Sequence, residues 1–147
     1  MSFSIFLQVL YFFAGHILAA LVVYLNHRYV FHGRLGRLPV LKQIKIMHAR
    51  HHAHAYTDDR NDYIVTPLWA KTLIVSAVLA AGYVVGWEFA TGLGSFSIVY
   101  AYRHWKIHNK DQASRFSLHH RIHHEVNPRK NFSGVYPVID KIFGTNF

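Results

Sequence analysis

The sequence contains no cysteine and only 7 acidic residues among 147. The first absence excludes a disulfide scaffold, a cysteine zinc finger and a thiolate-held iron–sulfur cluster. The second leaves little carboxylate to hold a metal or to balance 16 lysines and arginines, and the formal net charge is +9. Charged residues make up 16% of the chain, against about 25% in an ordinary soluble domain. Hydrophobic residues reach 52%, which excludes disorder. The length allows a single domain, 1–147. What the chain has in excess is histidine, 13 residues of it.

Positions 3–25 carry no formal charge over 23 residues. At about 1.5 Å per residue that run crosses a hydrocarbon core of about 30 Å. No basic region precedes it, so it reads as a span rather than a cleaved signal. A second apolar region, Ile64–Tyr102, holds only Lys71 and Glu88 as charges. Its length suits two crossings with a turn near Gly82–Gly94, where Trp87 is an interfacial anchor and Glu88 faces solvent. The last stretch, 89–102, is short and needs extension through 103–108, a tilt or a re-entrant path. Fifteen of the sixteen lysines and arginines lie in 26–63 and 103–147. A hairpin between those segments puts both on one side, which the positive-inside rule assigns to the cytoplasm, with the N-terminus opposite. The net charge then orients a membrane protein and draws it to anionic lipid; it does not indicate a nucleic-acid partner.

Twelve of the thirteen histidines fall within residues 27–54 and 104–124. They form spaced sets: His27 and His32 in HRYVFH, His48, His51 and His52 in HARHH, His104 and His108 in HWKIH, and His120, His123 and His124 in HRIHH. On an α-helix, positions i, i+3 and i+4 share a face, so each triplet presents three imidazoles together. His104 and His108 make an i, i+4 pair of the kind found in helical metal sites. His27 and His32, five apart, sit roughly 140° apart on an ideal helix. They reach different metals, or a local bulge realigns them.

One such pair alone is weak, and buried neutral imidazoles without partners are costly. Metal coordination meets that need for the whole set. Ten ligands exceed one ordinary centre, so two metals follow. Glu125 and Asp111, with Asp58, Asp59 and Asp62, are the carboxylates nearest the boxes, and the pattern of a carboxylate-bridged di-iron bundle is missing. Imidazole suits iron, zinc, copper and nickel alike. His16, mid-span, reads as a histidine bonded to a helix neighbour ahead of a substrate contact. His54 and His119 fall outside the best fit, and spacing leaves them open: His51–His54 is i, i+3 and His119–His123 is i, i+4, while roles beside the ligands also suit them.

The order HRYVFH, HARHH, HWKIH, HRIHH resembles the fatty acid hydroxylase superfamily, integral membrane di-iron enzymes that include sterol desaturases and carotenoid hydroxylases. The tail NFSGVYPVIDKIFGT carries the resemblance further, with Asn131, Phe132, Asp140, Phe143, Gly144 and Thr145 in register. Ser133 stands where the family often has glycine, and Ile139 where an aromatic is common. The resemblance covers about residues 20–147. It implies two iron ions held by the ten histidines, with zinc as a substitute in purified protein. It also implies O2 as co-substrate and attack on an unactivated C–H bond of a membrane lipid of fatty acyl, sterol or carotenoid type. Oxygen insertion gives an alcohol; loss of a second hydrogen gives an alkene. Tyr11, Phe12, Phe13, Tyr100 and Tyr102 either line a lipid path or serve as packing and interface aromatics. The sequence has no dinucleotide-binding glycine motif, so the implied electrons come from a separate donor of ferredoxin, cytochrome or reductase type. Arg50, Arg121, Arg129 and Lys130 are candidate docking residues for it.

The expected fold is all-α: an integral membrane protein of about three spans with a cytoplasmic histidine-rich helical cap around a di-metal site. The competing readings are a catalytically silent member of the same fold and a metal-binding or transport protein. The latter calls for ionisable groups inside the spans, of which only His16, Lys71 and Glu88 qualify.

Overall fold

The computed structural model describes residues 3–56, 67–110 and 113–147. The carboxylates Asp58, Asp59, Asp62 and Asp111, together with Arg60 and residues 64–66, lie outside the described residues. The described residues form helices and turns, with no strand among them. The α-helices are α1 (Phe3–Leu25), α2 (Pro39–His54), α3 (Leu68–Val84), α4 (Trp87–Asn109), α5 (Arg115–Arg121) and α6 (Pro137–Ile142). Two π-helical turns, Asn26–Phe31 and Ile122–Val126, continue α1 and α5.

The starts of the helices follow local chemistry. Pro39 and Pro137 open α2 and α6, where the missing N–H costs nothing. Ser114 caps α5 by accepting the Ser117 N–H at 3.2 Å. Glu88 lies in the first turn of α4 and Lys106 in the last, each on the end that suits its charge.

The chain divides into two compact units. The first comprises Met1–Val22 with Pro67–Val99. Within it α1 and α4 cross at two glycines. A Cβ on Gly15 would stand 2.1 Å from the Phe89 carbonyl oxygen, and one on Gly92 would stand 2.0 Å from that of Phe12. Only glycine permits so close a crossing. Beside it Ser95 Oγ donates to the Gly92 carbonyl at 2.7 Å, and so accepts from His16 Nδ1 at 2.8 Å. The mid-span histidine is therefore bonded to a neighbouring helix. The turn expected across 82–94 is narrower than that: Val85 and Gly86 make it, with Gly86 at φ +132°. Gly92 and Gly94 are interior to α4. The Trp87 ring closes over Gly82, where a Cβ would come within 2.4 Å of it.

The second unit comprises Val23–Thr66 with Tyr100–Phe147. Its centre is polar. His27, His48, His51, His104, His108, His120 and His123 are all buried, beside Asn131 and Asp140. The apolar part of this core is small: Tyr24, Phe132 and Val135 are at most 5% exposed. Tyr24 stacks on Phe143 with ring centres 4.9 Å apart. A core filled with imidazole in place of leucine requires a compensating interaction, since buried nitrogen lone pairs lose their water.

Candidate metal centre

The awkward five-residue spacing of His27 and His32 is resolved by backbone geometry. The His32 N–H donates to the His27 carbonyl at 3.1 Å, five residues back. This π turn brings both imidazoles to one face, as a regular α-helix would not. The same device recurs after α5, where the Asn127 N–H donates to the Ile122 carbonyl at 2.8 Å.

The ten box histidines gather into two groups of five. The first holds His27, His32, His48, His52 and His123; the second holds His51, His104, His108, His120 and His124. Within each group the candidate donor atoms all lie within 4.8 Å of one another. The triplets are not shared out as blocks. His48 and His52 enter the first group while His51 enters the second. His120 and His124 enter the second while His123 enters the first. The i, i+4 members of a box therefore stay together and the i+3 member turns to the other group.

The Nε2 atoms meet at short distances. In the first group His27–His48 is 3.1 Å, His48–His32 2.9 Å, His48–His52 3.0 Å and His52–His123 3.1 Å. In the second, His108–His120 is 2.9 Å and His120–His124 3.1 Å. Hydrogen bonds do not explain this convergence. His27 Nδ1 donates to the Phe132 carbonyl at 2.5 Å, and His123 Nδ1 donates to the Lys130 carbonyl at 2.7 Å. A neutral imidazole has one N–H, so both rings aim a bare Nε2 lone pair at the others. Such lone pairs repel unless a cation lies among them. Each group offers five nitrogens, one more than the four of a tetrahedral site. The donor set thus fits a metal of high coordination number. In the second group, both ring nitrogens of His51 and the Nδ1 atoms of His108, His120 and His124 are buried with no hydrogen-bond partner among the described residues. A cation among the Nε2 atoms of His108, His120 and His124 accounts for their convergence there too, with the Nδ1 atoms facing away from it.

Electrostatics keeps the rings ready. Burial first, and neighbouring imidazoles second, hold His32 and His51 down to about 3. Burial and the adjacent His123 hold His52 to about 4. Burial lowers His123 to about 4 as well, even though its bond to Lys130 and the charge of Asp140 pull the other way. His48, His120 and His124 are driven well below the ordinary histidine range by the same two causes. At neutral pH these imidazoles are uncharged, the form that binds metal.

A family model described as fatty acid hydroxylase matches residues 12–145. The chain belongs to the fatty acid hydroxylase family. No curated protein and no solved structure gives a significant match. Membership in this superfamily of hydroxylases and sterol desaturases fits an oxidoreductase, and the two histidine groups are consistent with its use of iron. The family is membrane-associated, which suits the apolar helix near the N-terminus.

In this fatty acid hydroxylase family member the residues around the groups divide clearly. His119 and His54 stand outside both sets. His119 Nε2 donates to Asp140 Oδ2 at 2.9 Å, while His54 is exposed at the end of α2. Glu125 does not approach the histidines as a ligand; it pairs with Arg121 on the surface at 3.1 Å. Two contributors escape a reading of spacing alone. Tyr56, at φ +63°, stacks on His108 with ring centres 4.7 Å apart. Asp140 reaches the first group through the backbone, 16 residues beyond the end of the nearest box in sequence. Its place in the tail motif was visible, but the contacts that give it work were not.

Proposed function

We propose that the protein is a membrane-bound di-iron oxidoreductase that hydroxylates or desaturates an unactivated C–H bond of a membrane lipid. The observation that carries this reading is the convergence of ten neutral imidazoles into two sets of five, in a chain of this family. His27, His32, His48, His52 and His123 would hold one iron, and His51, His104, His108, His120 and His124 the other. Bound iron supplies O2 activation strong enough to break an unactivated C–H bond. The chain's own part is to keep the imidazoles neutral, to orient them and to exclude water. Tyr100, stacked on His104 with ring centres 5.5 Å apart, offers an aromatic wall beside the second group.

Several features support the membrane setting. The helix continuing through Ser4–Phe31 is long and apolar enough to cross a bilayer, and only 11% of its apolar window is buried. Leu68–Val84 is a shorter apolar helix, with Leu68, Leu73, Val75, Tyr83 and Val84 exposed. With the first part of α4 they make the three proposed spans. The basic segments and histidine boxes then lie on the cytoplasmic side, opposite the N-terminus. The family match runs through both units, which supports one hydroxylase-like domain over 1–147. Electrons come from a separate carrier, for which exposed Arg50 and Arg129 are docking candidates. Arg121 and Lys130 are already engaged, with Glu125 and with the Gly144 and Asn146 carbonyls.

Lipid profiling of cells carrying the intact protein or a His123→Ala variant tests this reading, alongside metal analysis of both. A product one oxygen heavier that depends on His123 indicates hydroxylation; one lighter by two hydrogens indicates desaturation. An unchanged lipid profile in cells whose protein holds metal overturns the enzyme reading. Zinc in the purified protein does not, because imidazole sites take up zinc readily.

A further inference from the structure

We propose that Asp140 is a positioning residue that orients His27 and His123, two members of the first histidine group, through the peptide groups of residues 130–133. This inference rests on the reading of the ten histidines as ligands.

Asp140 is fully buried and accepts four hydrogen bonds. Its Oδ1 accepts the Phe132 N–H at 2.8 Å and the Thr145 hydroxyl at 2.8 Å. Its Oδ2 accepts the Ser133 N–H at 2.9 Å and His119 Nε2 at 2.9 Å. The same Phe132 whose N–H is held by Asp140 presents its carbonyl to His27 Nδ1. Two residues earlier, the Lys130 carbonyl takes the Nδ1 proton of His123. Between them Asn131, at φ +59°, turns its side chain the other way. Its Nδ2 donates to the His119 carbonyl at 2.9 Å and its Oδ1 accepts the Phe147 N–H at 2.8 Å. One carboxylate thus fixes a short stretch of backbone, and that backbone fixes the proton position and ring plane of two ligands.

The support continues away from the metal group in one donor direction. Arg28 Nη1 donates to the Tyr24 hydroxyl at 2.9 Å. The Tyr24 hydroxyl meets Thr145 Oγ1 at 2.9 Å, and since the Thr145 proton is spent on Asp140, Tyr24 is the donor. Among the described residues the Nδ1 atoms of His51, His108, His120 and His124 in the second group have no hydrogen-bond partner, and neither does that of His48 in the first, so the backbone bonds to His27 and His123 are what distinguish the first group. Outer partners that fix a ligand's tautomer change metal affinity by about 10–100-fold when removed.

The test is an equilibrium metal titration of the full chain in detergent with ferrous iron, followed by Mössbauer spectroscopy of isotopically enriched iron. In Asp140→Asn the amide NH2 would face donors it cannot accept. That variant should bind iron about 10–100-fold more weakly in one of two positions. The affected signal should be the one lost in His32→Ala, and the signal lost in His51→Ala should be unchanged. Equal weakening at both positions, or none at either, overturns the proposal. If Asp140→Asn does not fold, Thr145→Val takes its place. It keeps the carboxylate and removes one donor, so a smaller loss confined to the first group supports the proposal, and equal affinity changes overturn it. Wild-type protein that binds no iron would refute the ligand reading itself, a result distinct from either.

Discussion

His51 and His52 are adjacent in the chain, and replacing each by alanine should empty different metal positions. His51 belongs with His104, His108, His120 and His124; His52 belongs with His27, His32, His48 and His123. The size of the effect follows from the donor count. Structural zinc in small peptides is held by about 10–16 kcal/mol across four ligands, so one ligand accounts for about 3 kcal/mol, or about 100-fold in Kd. Each variant should therefore weaken one position about 100-fold and leave the other near wild type. Graded chelation of the metal-loaded protein, with metal counted per chain, reads this directly. The decisive comparison uses pairs. His51→Ala with His104→Ala strikes one group twice, so one metal should survive chelation. His52→Ala with His104→Ala strikes both groups, so neither should. Equal metal retention in the two double variants would refute the division of the HARHH box between groups.

Acid should destabilise the metal-free protein. His123 sits at about 4 when folded and near 6.5 when unfolded, so between those values the unfolded chain binds the extra proton and stability rises with pH. His51 and His32, at about 3, act in the same direction over a slightly wider window. Each group adds about 1.4 kcal/mol per pH unit inside its window and nothing above pH 7 or so. A melting temperature that stays level from pH 7 down to pH 5 would contradict neutral, buried rings. At the helix crossing, Gly92→Ala puts a Cβ 2.0 Å from the Phe12 carbonyl oxygen, so α1 and α4 must part by about 1 Å and lose about 1–3 kcal/mol. Thermal melts in detergent measure the loss, and an unaltered midpoint would show that the helices do not pack there.

The sequence by itself determined the helical class of the fold and the candidate residues of the site. Helical spacing in four histidine boxes, the shortage of carboxylate and the absence of cysteine picked out the ten histidines that the fold gathers into two groups, because metal chemistry selects donor types and donor types are written in composition. Uncharged 3–25 marked an apolar helix for the same reason: burial in hydrocarbon is a local property of a run of side chains. The allocation of ligands was not legible. A face of a helix has a width, and whether His51 turns toward one group or the other depends on which helix lies alongside, not on its distance from His48. The π turns at 26–31 and 122–126 belong to this category. A five-residue spacing permits a widened turn but does not by itself require one. Asp140 is the clearest case. Its position in the tail motif was plain, yet its bonds to Phe132, Ser133, Thr145 and His119 exist only once α5, the segment 130–133 and α6 have packed together. Hydrogen bonds to a buried carboxylate are made by neighbours in space, and tertiary packing decides which neighbours those are.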